Sequence, residues 1–192
     1  MQALIVSTGV VALAEIGDKT QLLAFILAAR FKKPLPIIAG ILCATVINHG
    51  LAGALGAWIT GAVGPNLLRW VLGISFIAMA IWTLIPDQIE EEETRIASRL
   101  GVFGATFVTF FLAEMGDKTQ IATIAMAAHY TQPLLVVVGT TLGMLIADVP
   151  AVFVGDRLAG RIPMRLVHGI AAAVFAALGL ATLLGAGASL GF

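Results

Sequence analysis

The sequence LAEIGDKTQ at residues 13–21 recurs as LAEMGDKTQ at residues 112–120, with Met115 in place of Ile16 as the only change. Each copy carries two carboxylates and a lysine within a long apolar run. Ionisable side chains at membrane depth are costly and face the interior of a helix bundle or a wet cavity. The fold must therefore place these charged side chains beside partners that compensate them. The charged residues of the other copy are the first candidates for those partners.

The composition indicates an integral membrane protein. The 192-residue chain is 59% hydrophobic and 11% charged, with a mean hydropathy of +1.01, whereas soluble domains carry about 25% charged residues. Apolar runs of about 20 residues, enough for a helix to cross a bilayer, recur along the chain. The net charge is zero and no basic stripe is present, which argues against a nucleic-acid partner.

Hydropathy and the positions of helix-breaking residues predict an all-α protein with six transmembrane helices. The start lacks a basic segment before its apolar run, so we interpret it as the first span and not as a signal peptide. The predicted spans are 3–29, 36–60, 67–85, 101–128, 134–154 and 165–187.

The six spans form two related halves. A shift of 99 positions aligns Glu15 with Glu114 and Pro34 with Pro133 without a gap. Three spans are an odd number, so the second half must enter the membrane from the opposite side, an arrangement typical of secondary transporters. We therefore predict two inverted three-helix repeats, at residues 1–85 and 101–192, joined by an acidic linker at 86–100.

Basic residues predict the orientation, because Lys and Arg are concentrated on the cytoplasmic side. One membrane face carries only Arg69, and both chain termini are predicted on this outer side. The other face, predicted to be cytoplasmic, carries Arg30, Lys32, Lys33, Arg95, Arg99, Arg157, Arg161 and Arg165.

The acidic residues of the motif predict a cation site. Glu15, Asp18 and Gln21 are spaced three apart, so on a continuous helix they share one face, and the second copy repeats the pattern with Glu114, Asp117 and Gln120. Inversion would direct four carboxylates and two amides to one point. Bound dications or protons would each relieve the repulsion, and competition between them is the basis of an exchanger. Hard oxygen ligands suit calcium, magnesium or manganese.

Other residues in the motif have two interpretations each. Gly17 and Gly116 would either break the helix and expose carbonyls to an ion or allow close helix packing. Lys19 and Lys118 would either pair with the carboxylates, with a role in gating, or extend towards the interface.

Polar residues near the motifs form a second tier. Asp148 in the fifth span is a candidate acidic ligand or proton carrier, and His49, its counterpart in the other repeat, is a candidate for proton transfer or a structural hydrogen bond. Asn48 offers an amide oxygen. Thr20 and Thr119 would add hydroxyl ligands or, in the favoured interpretation, bond a carbonyl of their own helix.

The doubled motif Glu-x-Gly-Asp-Lys-Thr, at residues 15–20 and 114–119, resembles the signature of a family of small cation exchangers. The family includes the yeast Gdt proteins and bacterial manganese exporters and is grouped with the calcium/cation antiporter superfamily. The resemblance implies transport of manganese, and in some members calcium, coupled to protons, with Glu15, Asp18, Glu114 and Asp117 as the acidic residues. The absence of a long N-terminal extension favours the inner (plasma) membrane of a bacterium.

These observations predict a secondary active transporter that exports Mn²⁺ from the cytoplasm in exchange for protons. A Ca²⁺/H⁺ antiporter with the same acidic site is the nearest alternative, followed by a cation channel and a non-transporting membrane scaffold. No nucleophile–base pair accompanies the carboxylates, so an enzyme is not expected, and no cofactor is expected besides the transported ion. The sequence is compatible with a monomer or a homodimer in the lipid bilayer.

Overall fold

The structure is a computed structural model that describes residues 1–85, 100–154 and 164–185. These residues form eight α-helices and no β-strand, which confirms the all-α prediction for this part of the chain. The helices are α1 (Gln2–Glu15), α2 (Lys19–Phe31), α3 (Pro34–Ala62), α4 (Pro65–Trp82), α5 (Gly101–Glu114), α6 (Lys118–His129), α7 (Pro133–Val154) and α8 (Met164–Leu183).

Two parts of the sequence prediction fall outside the described residues. The predicted acidic linker at 86–100 lies outside them except for Leu100. The same holds for four of the basic residues that set the predicted orientation, namely Arg95, Arg99, Arg157 and Arg161. The orientation therefore stays a prediction.

Among the helices that the structure describes, two are long and apolar enough to cross a membrane, by length and composition: α3 and the segment Pro133–Phe153 of α7. Prolines begin both helices, at a position where the missing N–H costs nothing. Shorter apolar helices include α1 and α5. The predicted spans at 3–29 and 101–128 are wrong as continuous helices, because each is divided in two at the charged motif.

The helices pack mainly across the two halves of the sequence. Helix α1 packs against α7, and α5, its counterpart 99 residues later, packs against α3. Helix α2 also contacts α7, while its counterpart α6 contacts α3. Helices α3 and α7 touch each other at the centre, and α4 pairs with α8. Each half thus supplies a long helix that the short helices of the other half surround.

Glycines at equivalent positions allow the long and short helices to approach closely. A methyl group on Gly40 of α3 would lie 2.7 Å from the Cβ of Thr106 on α5. A methyl group on Gly139 of α7, 99 residues later, would lie 2.7 Å from the carbonyl oxygen of Leu4 on α1. Small residues at such crossings bring backbones together in membrane helix bundles.

Substitution of these glycines is expected to destabilise the bundle. We expect Gly139→Ala to lower the free energy of unfolding by about 1–3 kcal/mol, because the added methyl group meets backbone that must shift. Gly50→Ala is the matched control, since a methyl group there meets nothing within 4 Å. This substitution also replaces a glycine, which weakens a helix, with alanine, which favours one. Thermal unfolding in detergent measures both variants, and equal shifts would contradict the close-packing account.

Candidate cation site

The charged motif interrupts its helix in both copies. Helix α1 ends at Glu15 and α2 begins at Lys19, with Gly17 between them at φ 87°. The second break, between α5 and α6, has Gly116 at φ 80°. Residues with a side chain rarely adopt a positive φ, which glycine adopts at little cost. The break therefore depends on the glycine of each motif.

The break changes the geometry expected from the sequence. Glu15 is the last residue of α1, whereas Asp18 is the residue that precedes the first turn of α2. The prediction that Glu15, Asp18 and Gln21 share one face of a continuous helix is therefore wrong. A break at the glycine was one of two interpretations of the sequence, because one glycine in a helical pattern costs only about 1 kcal/mol and is often tolerated.

The motif glutamines stabilise the breaks. The Oε1 atom of Gln21 accepts a hydrogen bond of 2.9 Å from the N–H of Gly17, and Oε1 of Gln120 accepts one of 2.8 Å from the N–H of Gly116. Gln21 also donates to the carbonyl oxygen of Ala147 on α7, at 3.0 Å. Sequence reasoning missed this structural role, and metal binding by the two amides stays a prediction.

Three carboxylates from the two motifs lie together in the interior. One oxygen from each of Glu15, Glu114 and Asp117 lies within 4.8 Å of the others, and all three residues are buried. Oxygen donors about 2.1–2.6 Å from a shared cation can lie up to about 5 Å apart. The separation therefore suits a common divalent cation, and we refer to these three residues as the carboxylate cluster.

The motif threonines bond to the glutamates of the cluster. The hydroxyl of Thr20 donates to Oε2 of Glu15, and the hydroxyl of Thr119 donates to Oε2 of Glu114 at 2.9 Å. The favoured prediction, a bond to a carbonyl of their own helix, is therefore wrong for both. Each hydroxyl reaches back across the break and fixes one oxygen of its glutamate.

The two lysines make unequal contacts across the pair of motifs. The ammonium of Lys118 lies against the carboxylate of Asp18 in the other motif, and both residues are buried. The Nζ atom of Lys19 lies 3.8 Å from Oδ1 of Asp117, and the lysine side chain is 20% exposed. The sequence is nearly identical in the two copies, so this inequality belongs to the conformation and not to the residue types.

Second-tier residues from α3 and α7 surround the cluster. Asp148 is fully buried and close enough to Glu15 and Glu114 for repulsion between like charges. Among the described residues, neither of its own carboxylate oxygens has a hydrogen-bond partner. The Nε2 atom of His49, also fully buried, lies 3.8 Å from Oε2 of Glu114. Asn48 donates to the carbonyl oxygen of Phe111 at 3.1 Å. The structure thus brings both motifs and both long helices to one polar site.

Comparison with known proteins gives consistent matches along the chain. The family model described as "Divalent cation/proton antiporter GDT1" matches residues 3–91 and 102–189. A protein of Vibrio cholerae named "Putative manganese exporter" is 51% identical over 183 residues, which cover 95% of this chain and 90% of that protein.

More distant relatives come from photosynthetic organisms. A Synechocystis protein named "GDT1-like protein sll0615" is 32% identical over 86% of this chain and 88% of its own length. A rice protein named "GDT1-like protein 3" is 30% identical over 90% of this chain and 70% of its own length. No solved structure matches the chain.

The unequal lysine contacts predict unequal effects on stability. We expect Lys118→Met to lower the free energy of unfolding by about 3–5 kcal/mol, because it removes the cation that lies against a buried carboxylate. Lys19→Met, the matched substitution in the other copy, is expected to cost less than about 1 kcal/mol, since its pair is longer and partly exposed. Chemical unfolding in mild detergent measures both, and similar losses would contradict the unequal pairing.

Proposed function

This chain belongs to the GDT1 family of divalent cation/proton antiporters, and we propose that it exports Mn²⁺ from the cytoplasm in exchange for protons. Family membership confirms the resemblance drawn from the doubled motif. The name of the Vibrio cholerae relative supports manganese as the cargo.

The carboxylate cluster is the observation that carries the proposal. Three buried carboxylates within 4.8 Å of one another repel strongly where the dielectric constant is low. A divalent cation or bound protons would each remove the repulsion, and both occupy the same oxygens. Binding of one therefore requires release of the other, which is the chemical basis of antiport.

Two inverted three-helix repeats would give this site access to both sides of the membrane. The matched segments begin at residues 3 and 102, an offset of 99 that equals the offset of the motifs. The equivalent cross-packing of α1 on α7 and of α5 on α3 also supports a repeat. Rocking of one repeat against the other would open the cluster first to the cytoplasm and then outwards.

The surrounding residues receive supporting roles in this proposal. Lys118 and Lys19 balance the carboxylate charge when no metal is bound and gate the exchange. Asp18, held by Lys118, becomes a fourth acidic ligand when that pair opens. Asp148 carries a proton to or from the cluster, since it is buried and the like charges of Glu15 and Glu114 disfavour its ionised form.

A Ca²⁺/H⁺ antiporter is the second candidate, because carboxylate oxygens are also the donors that calcium prefers. The same three cluster residues would serve, and the direction of transport and the exchange with protons would be unchanged. The two candidates differ only in the ion that the site prefers.

Flux into proteoliposomes tests the proposal directly. We expect Mn²⁺ uptake that is driven by a pH gradient and saturates, whereas a channel would give flux that does not require the gradient. Glu15→Gln and Asp117→Asn are expected to abolish this uptake while the protein still inserts, because each removes a charge from the cluster. Ca²⁺ is tested in parallel.

Glu92→Gln is the matched control, because this carboxylate lies between the two segments that the family model matches. It is expected to transport at the wild-type rate. Wild-type rates in Glu15→Gln or Asp117→Asn would remove the cluster from the mechanism. Ca²⁺ uptake equal to that of Mn²⁺ would favour the second candidate, and no gradient-driven uptake of either ion would contradict both.

A further inference from the structure

His49 places an imidazole beside the carboxylate cluster. Its side chain is fully buried on α3, and Nε2 lies 3.8 Å from Oε2 of Glu114. Among the described residues, neither ring nitrogen has a hydrogen-bond partner. Buried polar atoms are nearly always paired, so this imidazole has donor or acceptor capacity directed at the cluster that hydrogen bonding within the described protein does not use.

We propose that His49 is a direct nitrogen ligand of the transported ion and makes the site prefer Mn²⁺ to Ca²⁺. This inference rests on the proposed function, since it concerns the selectivity of the same site. His49 lies outside the two charged motifs, and its role in this proposal is to set the ion specificity.

The distances permit an imidazole to join the cluster. Bonds from a histidine nitrogen to Zn²⁺ are about 2.0–2.1 Å, and bonds from a carboxylate oxygen to Ca²⁺ are about 2.3–2.6 Å. Two ligands of one ion can therefore lie 3.8 Å apart, as Nε2 of His49 and Oε2 of Glu114 do. Helix α3 holds His49 in place, and its close packing on α5 and α6 fixes it relative to Glu114 and Asp117.

The chemistry of the ligand gives the direction of the preference. Calcium binds through oxygen ligands, and imidazole is a ligand of the first-row transition metals. Mn²⁺ also takes oxygen ligands readily, but it belongs to that series and therefore loses less affinity than Ca²⁺ when one ligand is a nitrogen. A site made only of carboxylate and amide oxygens would discriminate weakly between Mn²⁺ and Ca²⁺. One nitrogen ligand lowers the relative affinity for Ca²⁺, because calcium gains little from it and loses a position for oxygen.

The internal repeat supplies a comparison within the same molecule. The counterpart of His49, 99 residues later, is Asp148, which is also fully buried. One repeat thus offers a nitrogen donor where the other offers oxygens. His49→Asp would convert the site to acidic residues at both positions, the arrangement that favours calcium.

Electron spin echo spectroscopy of bound Mn²⁺ tests direct ligation, because a coordinated imidazole nitrogen gives a nuclear modulation that carboxylates do not. We expect this signal in the purified wild-type protein and its loss in His49→Gln, which replaces the neutral imidazole with a neutral amide that would bind a metal through its oxygen. The chain has three histidines. His168→Gln, on α8, is the control and is expected to keep the signal.

Competition between the two ions in proteoliposomes tests the consequence for selectivity. We expect His49→Asp to lower the preference for Mn²⁺ over Ca²⁺ by about tenfold, since specificity is a difference of affinities. Retained Ca²⁺ uptake by this variant shows that it folds. An unchanged preference would overturn the inference.

The failure of this inference is distinguishable from failure of the proposed function. Wild-type protein that binds and transports Mn²⁺ but shows no nitrogen modulation would leave the function standing and overturn the role of His49. Persistence of the signal in His49→Gln would overturn it too. Wild-type protein that transports neither ion would contradict the proposed function itself.

Discussion

Burial of like charges is the constraint on which the rest of this molecule depends. In the part of the chain that the structure describes, the interior holds five carboxylates shielded from solvent, those of Glu15, Asp18, Glu114, Asp117 and Asp148, and an uncompensated carboxylate is costly there. Lys118 offsets part of this cost through its contact with Asp18 of the other motif. The remaining cost would favour a bound cation or bound protons, so the repulsion within the carboxylate cluster and the proposed function have one origin.

The geometry of the site follows from the break in the helix at each motif. An unbroken helix would hold Glu15 and Asp18 about one turn apart on its side. The positive φ of Gly17 ends α1 at the glutamate and begins α2 after the aspartate. Threonine and glutamine side chains then bond across the gap. Seven adjacent residues, 15–21 in the first copy, thus form a compact unit that a regular helix does not provide, and the fold uses it twice.

The parts of this structure that follow from local sequence were predictable. Hydropathy and prolines predicted α3, α4, α7 and α8 to within a few residues, because these helices are mostly apolar and begin at or near a proline. The cluster residues were identified because charges in an apolar run are rare and these occur twice. A break at Gly17 and Gly116 was one of two interpretations that the sequence allowed, since a helix also tolerates one glycine. Two contacts depend on packing between segments that are distant in the sequence: Lys118 with Asp18, and His49 with Glu114. Local sequence patterns do not predict such contacts.

In the proposed function, the two motifs together build one shared cation site. Calorimetric titration of the purified protein with Mn²⁺ measures this most directly, because it counts the ions bound per chain. We expect one Mn²⁺ per chain, with binding lost when either Glu15 or Glu114 is replaced by glutamine, since each motif supplies part of the same cluster. Two ions per chain, with each substitution removing only one of them, would show that the motifs bind separately and would contradict the shared site.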